Sequence, residues 1–116
     1  MVDGMISSHF SAVEMGCHHC GRHEVSCQLM AALERLRDLI DRPLPIVSGY
    51  RCVRHNASVG GARRSQHVLG RAADLPYGIV TKAQALQAGF TGLGTKGGYV
   101  THVDVRDGPV TVWKYD

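Results

Sequence analysis

Apolar residues recur at helical spacing in one long stretch of the chain. Leu29, Leu33, Leu36 and Ile40 fall every three or four positions, with Glu34, Arg35, Arg37 and Asp38 between them. This predicts an amphipathic helix over residues 28–40, stopped by Pro43 and Pro45. A shorter helix is expected over 82–88, capped by Thr81 and closed by Gly89. Period-two alternation marks 99–106 instead. It puts Val100, His102, Asp104 and Arg106 on one face and Tyr99, Thr101, Val103 and Val105 on a mostly apolar other face. The glycines at 92, 94, 97 and 98 lead into that strand, which is expected to turn at Asp107-Gly108 and pair as a hairpin with 110–114. Short strands are expected at 46–48, entering a turn at Gly49, and at 71–75, ended by Pro76. Residues 51–70, rich in Arg, Asn, Gly and Ser, read as a long functional loop with room for one helical turn. The expected architecture is α+β, a small antiparallel sheet packed with two or three helices.

No repeat or linker interrupts residues 1–116, so a single domain is expected, with an irregular Cys/His-rich segment at 1–27 and a core at 28–116. A hydrophobic fraction of 44% with 20% charged residues describes a globular protein and excludes a disordered one. No apolar run approaches the ~20 residues that span a bilayer. The first residues lack a basic start followed by an apolar stretch, so synthesis as a cytoplasmic chain is expected. The net charge of +3 suits an anionic partner but equally an ordinary solvated surface. Arg63-Arg64 is the only adjacent basic pair, with no basic helix or aromatic stacking pattern, so nucleic acid is not an expected partner. A monomer is expected.

His67 and Asp74 are the first candidates for chemistry. On a continuous helix they would lie roughly 10 Å apart along the axis, too far to share one ion with ligands near 2 Å. They converge only if the chain folds back between them, and Gly70 is placed to allow it, with Ala72 and Ala73 leaving room. His102 brings an imidazole from the other end of the chain, beside Asp104 and Arg106. Such a row of polar groups is costly unless it lines a polar site. Two histidines and a carboxylate with one open position form a known catalytic zinc arrangement. The same residues also fit a solvated loop histidine, a capping aspartate and an exposed hairpin face.

The segment Ser65-Gln66-His67-Val68-Leu69-Gly70-Arg71-Ala72-Ala73-Asp74 resembles the S-x-H-x-x-G-x-A-x-D signature of the M15 zinc peptidases. These are D-alanyl-D-alanine carboxypeptidases and related cell-wall endopeptidases, with a fold shared by the hedgehog signalling domain. Ser48-Gly49-Tyr50-Arg51, His55-Asn56-Ala57, Gly60-Gly61-Ala62 and His102-Val103-Asp104-Val105-Arg106 are similar to the short M15A-like branch in the expected order. The resemblance implies zinc held by His67, Asp74 and His102. It implies that Arg51 stabilises the oxyanion of the attacked carbonyl, and that Ser65 lies near bound substrate, although a loop hydroxyl bonded to its own backbone fits Ser65 equally. The implied substrate is a peptidoglycan stem peptide, cut at D-Ala–D-Ala or a D,D cross-link. The alternatives are an L-Ala–D-Glu bond, as in phage endolysins, or a non-hydrolytic zinc-bearing wall-binding module. Action on a wall then requires delivery, for instance by a phage. Several branches carry an acid three residues before the last zinc histidine, where this chain has Tyr99. Asp104, on the face of His102, is the candidate base, with a role orienting a ligand as its rival.

Cys17-His18-His19-Cys20, followed by His23 and Cys27, offers a C-x2-C pair with further ligands close by, and Cys52 directly follows Arg51. A second, structural zinc on Cys17, Cys20 and Cys27 with Cys52 or His23 is one reading; disulfides and unrelated buried thiols are the others.

Overall fold

The computed structural model describes residues 4–61 and 65–115. Ala62 and the Arg63-Arg64 pair lie outside the described residues. The elements, in chain order, are α1 (Ala12–Met15), α2 (Cys27–Ile40), α3 (Val53–Ser58), β1 (Ala72–Asp74), α4 (Lys82–Gln87), β2 (Gly92–Lys96), β3 (Tyr99–Asp104) and β4 (Thr111–Lys114).

The long helix α2 starts where Ser26 accepts the Leu29 N–H at 3.1 Å, and ends at Asp41 in a left-handed conformation. Its face carrying Leu29, Leu33 and Leu36 is fully buried, while Ile40, at the end of the periodic row, is only partly covered. These leucines meet Ala85 of α4, Phe90, and the sheet residues Ala73, Leu93, Val100 and Val103. Burial of side chains this size is worth about 1.5–3 kcal/mol each, which is why the face specifies the helix more than propensity does. Thr81 and Gln84 close a capping box on α4. The supposedly irregular N-terminal segment also contains a capped element. In α1, Ser11 and Glu14 form a capping box and Met15 is buried, with Phe10 beside it in the core.

The sheet order is β1-β3-β2-β4. Here the structure corrects the expected topology in three ways. The expected hairpin of 99–106 with 110–114 does not form, because β3 already has β1 on one side and β2 on the other. The chain does reverse, but β4 passes to the free edge of β2 and pairs with it in parallel, so the sheet is mixed and not wholly antiparallel. The true hairpin joins β2 to β3 through Gly97-Gly98, whose φ values of 56° and 86° are those of a two-residue turn that matches strand twist. Thirdly, residues 46–48 contribute only a single bridge, Ser48 to Asp74, with Val47 exposed.

A register shift between Gly94 and Thr95 sets Gly94 opposite His102 but Thr95 opposite Val100, leaving Thr101 as the extra residue. The strict alternation expected of β3 therefore breaks. Val100 joins Val103 in the core, and His102 and Asp104 keep the other face.

Candidate active site

Each polar group of the site is set by the backbone that carries it. Asp74 ends β1 directly across from His102 of β3. His67 sits in a tight loop in which Gly70 donates to the His67 carbonyl at 3.2 Å and Arg71 to the Gln66 carbonyl at 2.9 Å. Gly70 has φ of 71°, the left-handed conformation that turns the chain back towards β1. The fold-back expected between His67 and Asp74 is thus made.

Nε2 of His67 and Nδ1 of His102 each lie 3.1 Å from Oδ1 of Asp74. The remaining atom of each group is already engaged by the protein. His67 Nδ1 is 2.8 Å from the Gly49 carbonyl, which can only accept, so this nitrogen carries the proton. His102 Nε2 is 2.8 Å from Oδ2 of Asp104. Asp74 Oδ2 accepts from Arg51 Nη2 at 2.7 Å. With both imidazoles neutral, two nitrogen lone pairs and a carboxylate oxygen face one another with no hydrogen between them. Only a cation or an added proton resolves that arrangement, and two imidazoles with one carboxylate suit a divalent ion of borderline softness. All three groups offer ligand atoms within 4.8 Å of one another.

The titration behaviour follows. Burial would push the Asp74 carboxyl up, but hydrogen bonds from His102 and His67 hold it well below the usual carboxylate range. Burial would lower His102, yet its bonds to Asp104 and Asp74 outweigh this and raise it. Asp104 is fully buried, and the Arg106 guanidinium and His102 outweigh that burial and hold it low. Arg106 grips it with Nε at 2.8 Å and Nη2 at 2.7 Å.

The cluster opens into a cavity of about 510 Å³, a usual size for a small-ligand site. Its wall includes Arg51, Ser65, Arg106, Trp113 and Tyr115. Trp113 lies 5.2 Å from the His102 ring and carries the Arg106 guanidinium 4.8 Å above its own. Two glycines of β2 make room for this. A Cβ on Gly92 would stand 2.1 Å from the Asp104 carboxylate, and one on Gly94 2.5 Å from Tyr115.

A family model for peptidase M15 matches residues 2–105. The chain belongs to the M15 peptidase family. The zinc D-Ala-D-Ala carboxypeptidase of Streptomyces albus G is 38% identical over 79 residues, which cover 63% of this chain. The match spans about a third of that enzyme's length (31%).

Within this M15 domain the residues singled out by the signature come together: His67, Asp74 and His102 face one another, with Arg51 and Ser65 on the same cavity. Ser65 Oγ accepts the His67 N–H at 3.2 Å, which ties down the loop. Asp104 is placed differently from what its candidacy as a base requires. It sits on the Nε2 side of His102, away from Asp74, with both oxygens bonded. Tyr99 is not part of the cavity wall and packs against Tyr77, with ring centroids 5.3 Å apart. Glu14 is spent in the α1 cap and Asp107 is exposed beside Arg71. Arg106, read in the sequence as part of a polar row with His102, does line the cavity, whereas Trp113 and Tyr115 carried no signal in the sequence.

The thiols also sort differently. Cys17, Cys20 and Cys52 gather, with ligand atoms within 4.8 Å of one another. Cys27, at the exposed start of α2, is outside that group, and so is His23; both instead border a shallow pocket with Ile6 and Met30. The expected set containing Cys27 is corrected accordingly. The four cysteines are free.

Proposed function

We propose that the chain is a zinc-dependent peptidase that cuts a D-amino-acid bond in peptidoglycan stem peptides, as a D-Ala-D-Ala carboxypeptidase or D,D-endopeptidase. The observation that carries this reading is the convergence of His67 Nε2, His102 Nδ1 and Asp74 Oδ1, each with its other polar atom already bonded. Those three atoms would hold the ion. When bound, zinc supplies Lewis-acid polarisation of a carbonyl and acidification of water towards neutrality.

The chain's own residues supply orientation and charge. Gly49 and Asp104 fix the tautomers of His67 and His102, so that each presents a lone pair to the site. Arg51 holds Asp74 in place and lines the same cavity, where its guanidinium would stabilise the developing oxyanion. Ser65 holds the His67 loop beside the substrate. Two carboxylates, Asp74 and Asp104, are matched by two guanidiniums, Arg51 and Arg106. A divalent cation therefore leaves the cavity net positive, which suits a peptide ending in a free carboxylate. The substrate named for the Streptomyces relative has such an end.

One observation favours a second reading, a zinc-bearing wall-binding module without turnover. Among the described residues lining the cavity, Asp74 is the sole carboxylate, so none is free to take a proton from water. Mass analysis of purified peptidoglycan fragments, incubated with and without chelator, separates the two. Chelator-sensitive loss of D-alanine or of cross-links supports the peptidase, release at L-Ala–D-Glu moves it to the endolysin type, and retention of intact fragments supports the binding module.

A further inference from the structure

The gathered thiols lie outside the cavity and take no part in the chemistry proposed there. Cys17 and Cys52 are 35 residues apart, yet their Sγ atoms lie 3.7 Å from each other. Sulfurs at about 2.3 Å from a tetrahedral zinc stand about 3.8 Å apart, so the pair already has that spacing. Cys20 completes a triangle, and His19 Nδ1, although outside the group whose ligand atoms all lie within 4.8 Å of one another, stands 3.7 Å from Cys52 Sγ. The His19 ring stacks on that of His55, with centroids 6.5 Å apart and planes 11° from parallel, which keeps it beside the cluster.

The backbone is arranged around these sulfurs. The C-x2-C segment is pinched into a loop by Cys17 N–H to the Arg22 carbonyl, 2.7 Å, and Gly21 N–H to the Cys17 carbonyl, 2.8 Å. Cys17 Sγ accepts the Cys52 N–H at 3.4 Å, and Cys52 Sγ accepts the His55 N–H at 3.4 Å. Amide donors converging on sulfur favour the thiolate, and a thiolate beside further soft donors calls for a cation.

We propose that Cys17, Cys20, Cys52 and His19 bind a second zinc ion with a structural role. Four protein ligands close the coordination shell, as structural sites require, and leave no position for substrate. The ion would tie the N-terminal segment to the stretch that carries Arg51. Met15 already touches that stretch, accepting the Tyr50 N–H at 2.8 Å. Cys52 also caps α3, so one ion would clamp α1, α3 and the Arg51 backbone together.

Cobalt(II) reports on this separately from the peptidase reading, because only this site contains sulfur. The full chain, free of any polyhistidine tag and purified under reductant, is titrated with cobalt alone. The expected result is two ions per chain and an intense thiolate-to-cobalt absorption in the near ultraviolet. His67→Ala should lose one ion and keep that band. Cys20→Ser, at an exposed ligand that does not test folding, should lose the band and keep one ion. Cys27→Ser should keep both, and His19→Ala should weaken cobalt binding at the thiolate site by at least tenfold. A wild-type chain with no thiolate band, a Cys17–Cys52 disulfide in the reductant-purified protein, or a band abolished by Cys27→Ser would overturn the proposal. Unchanged affinity in His19→Ala would overturn its ligand set.

Discussion

His102 holds Asp104 2.8 Å from Nε2 while its Nδ1 stands 3.1 Å from Asp74. One imidazole thus has a carboxylate on each nitrogen, the half-buried Asp74 within the cavity and the fully buried Asp104 behind it. Asp104 also carries the Arg106 guanidinium, so the rear carboxylate, the ring and the arginine form one braced unit.

That relationship predicts what Asp104→Asn does. A positioning residue behind a metal ligand should lower zinc affinity by roughly 10–100-fold, with activity recovering at saturating zinc. A base acting on water would instead leave affinity intact while kcat falls by roughly 10²–10⁴-fold. Zinc titration and kcat measured on the same variant decide between the two, and the geometry favours the first.

Arg51→Lys tests the front of the site. Lysine keeps the charge but lacks the fork that spans Ser48 and Asp74, at 3.2 Å and 2.7 Å in the native side chain. A kcat reduced by roughly 10²-fold with zinc retained is expected if the guanidinium stabilises the oxyanion. A change confined to KM would make it a residue that binds the ground state.

Much of this was legible in sequence, and what was not has physical causes. The leucine row of α2 and the cap at Thr81 are local patterns, and both elements formed where expected. The fold-back at Gly70 could be read because a metal-sized geometry excludes a continuous helix. By contrast β2 reads as a run of glycines and carries little strand propensity. Gly92 and Gly94 are glycine because Asp104 and the Trp113–Tyr115 wall occupy the space above them, which is a tertiary reason invisible along the chain. The same missing strand misdirected the partner of β4, and the extra residue at Thr101 hid the change of face at Val100. Cys52, read only as an alternative to His23, joined Cys17 and Cys20 while Cys27 did not, because a contact that crosses 35 residues lies beyond any spacing rule.

Gly92→Ala follows from that crowding. Its methyl would meet the Asp104 carboxylate at 2.1 Å, so the carboxylate or the strand must shift. A loss of about 1–3 kcal/mol of stability is expected, with weaker metal binding through the displaced His102. A melting curve and zinc affinity matching wild type would contradict the role assigned to this glycine.

Stability of the metal-free protein should depend on pH in two limbs. Asp74 and Asp104 have lowered folded-state pKa values, so their contribution is present above the ordinary 3.8 and is lost as pH falls through the depressed values. His102 is raised, so its contribution is full below the ordinary 6.5 and fades as pH climbs through the raised value. Denaturant melts of the chelated protein should therefore show greatest stability between those limits. Since a metal displaces the His102 proton, affinity should rise with pH over the upper limb. Flat stability from pH 5 to 9, with pH-independent metal binding, would contradict the arrangement.

The central claim is that His67, Asp74 and His102 hold the metal of a peptidoglycan peptidase. It is tested most directly by measuring zinc content and product release together, on wild type and His67→Ala, with a stem peptide ending in D-Ala-D-Ala. Wild type should release D-alanine until chelated. His67→Ala should contain one zinc fewer per chain, keep its fold by circular dichroism and release none. Undiminished zinc and wild-type turnover in His67→Ala would contradict the account.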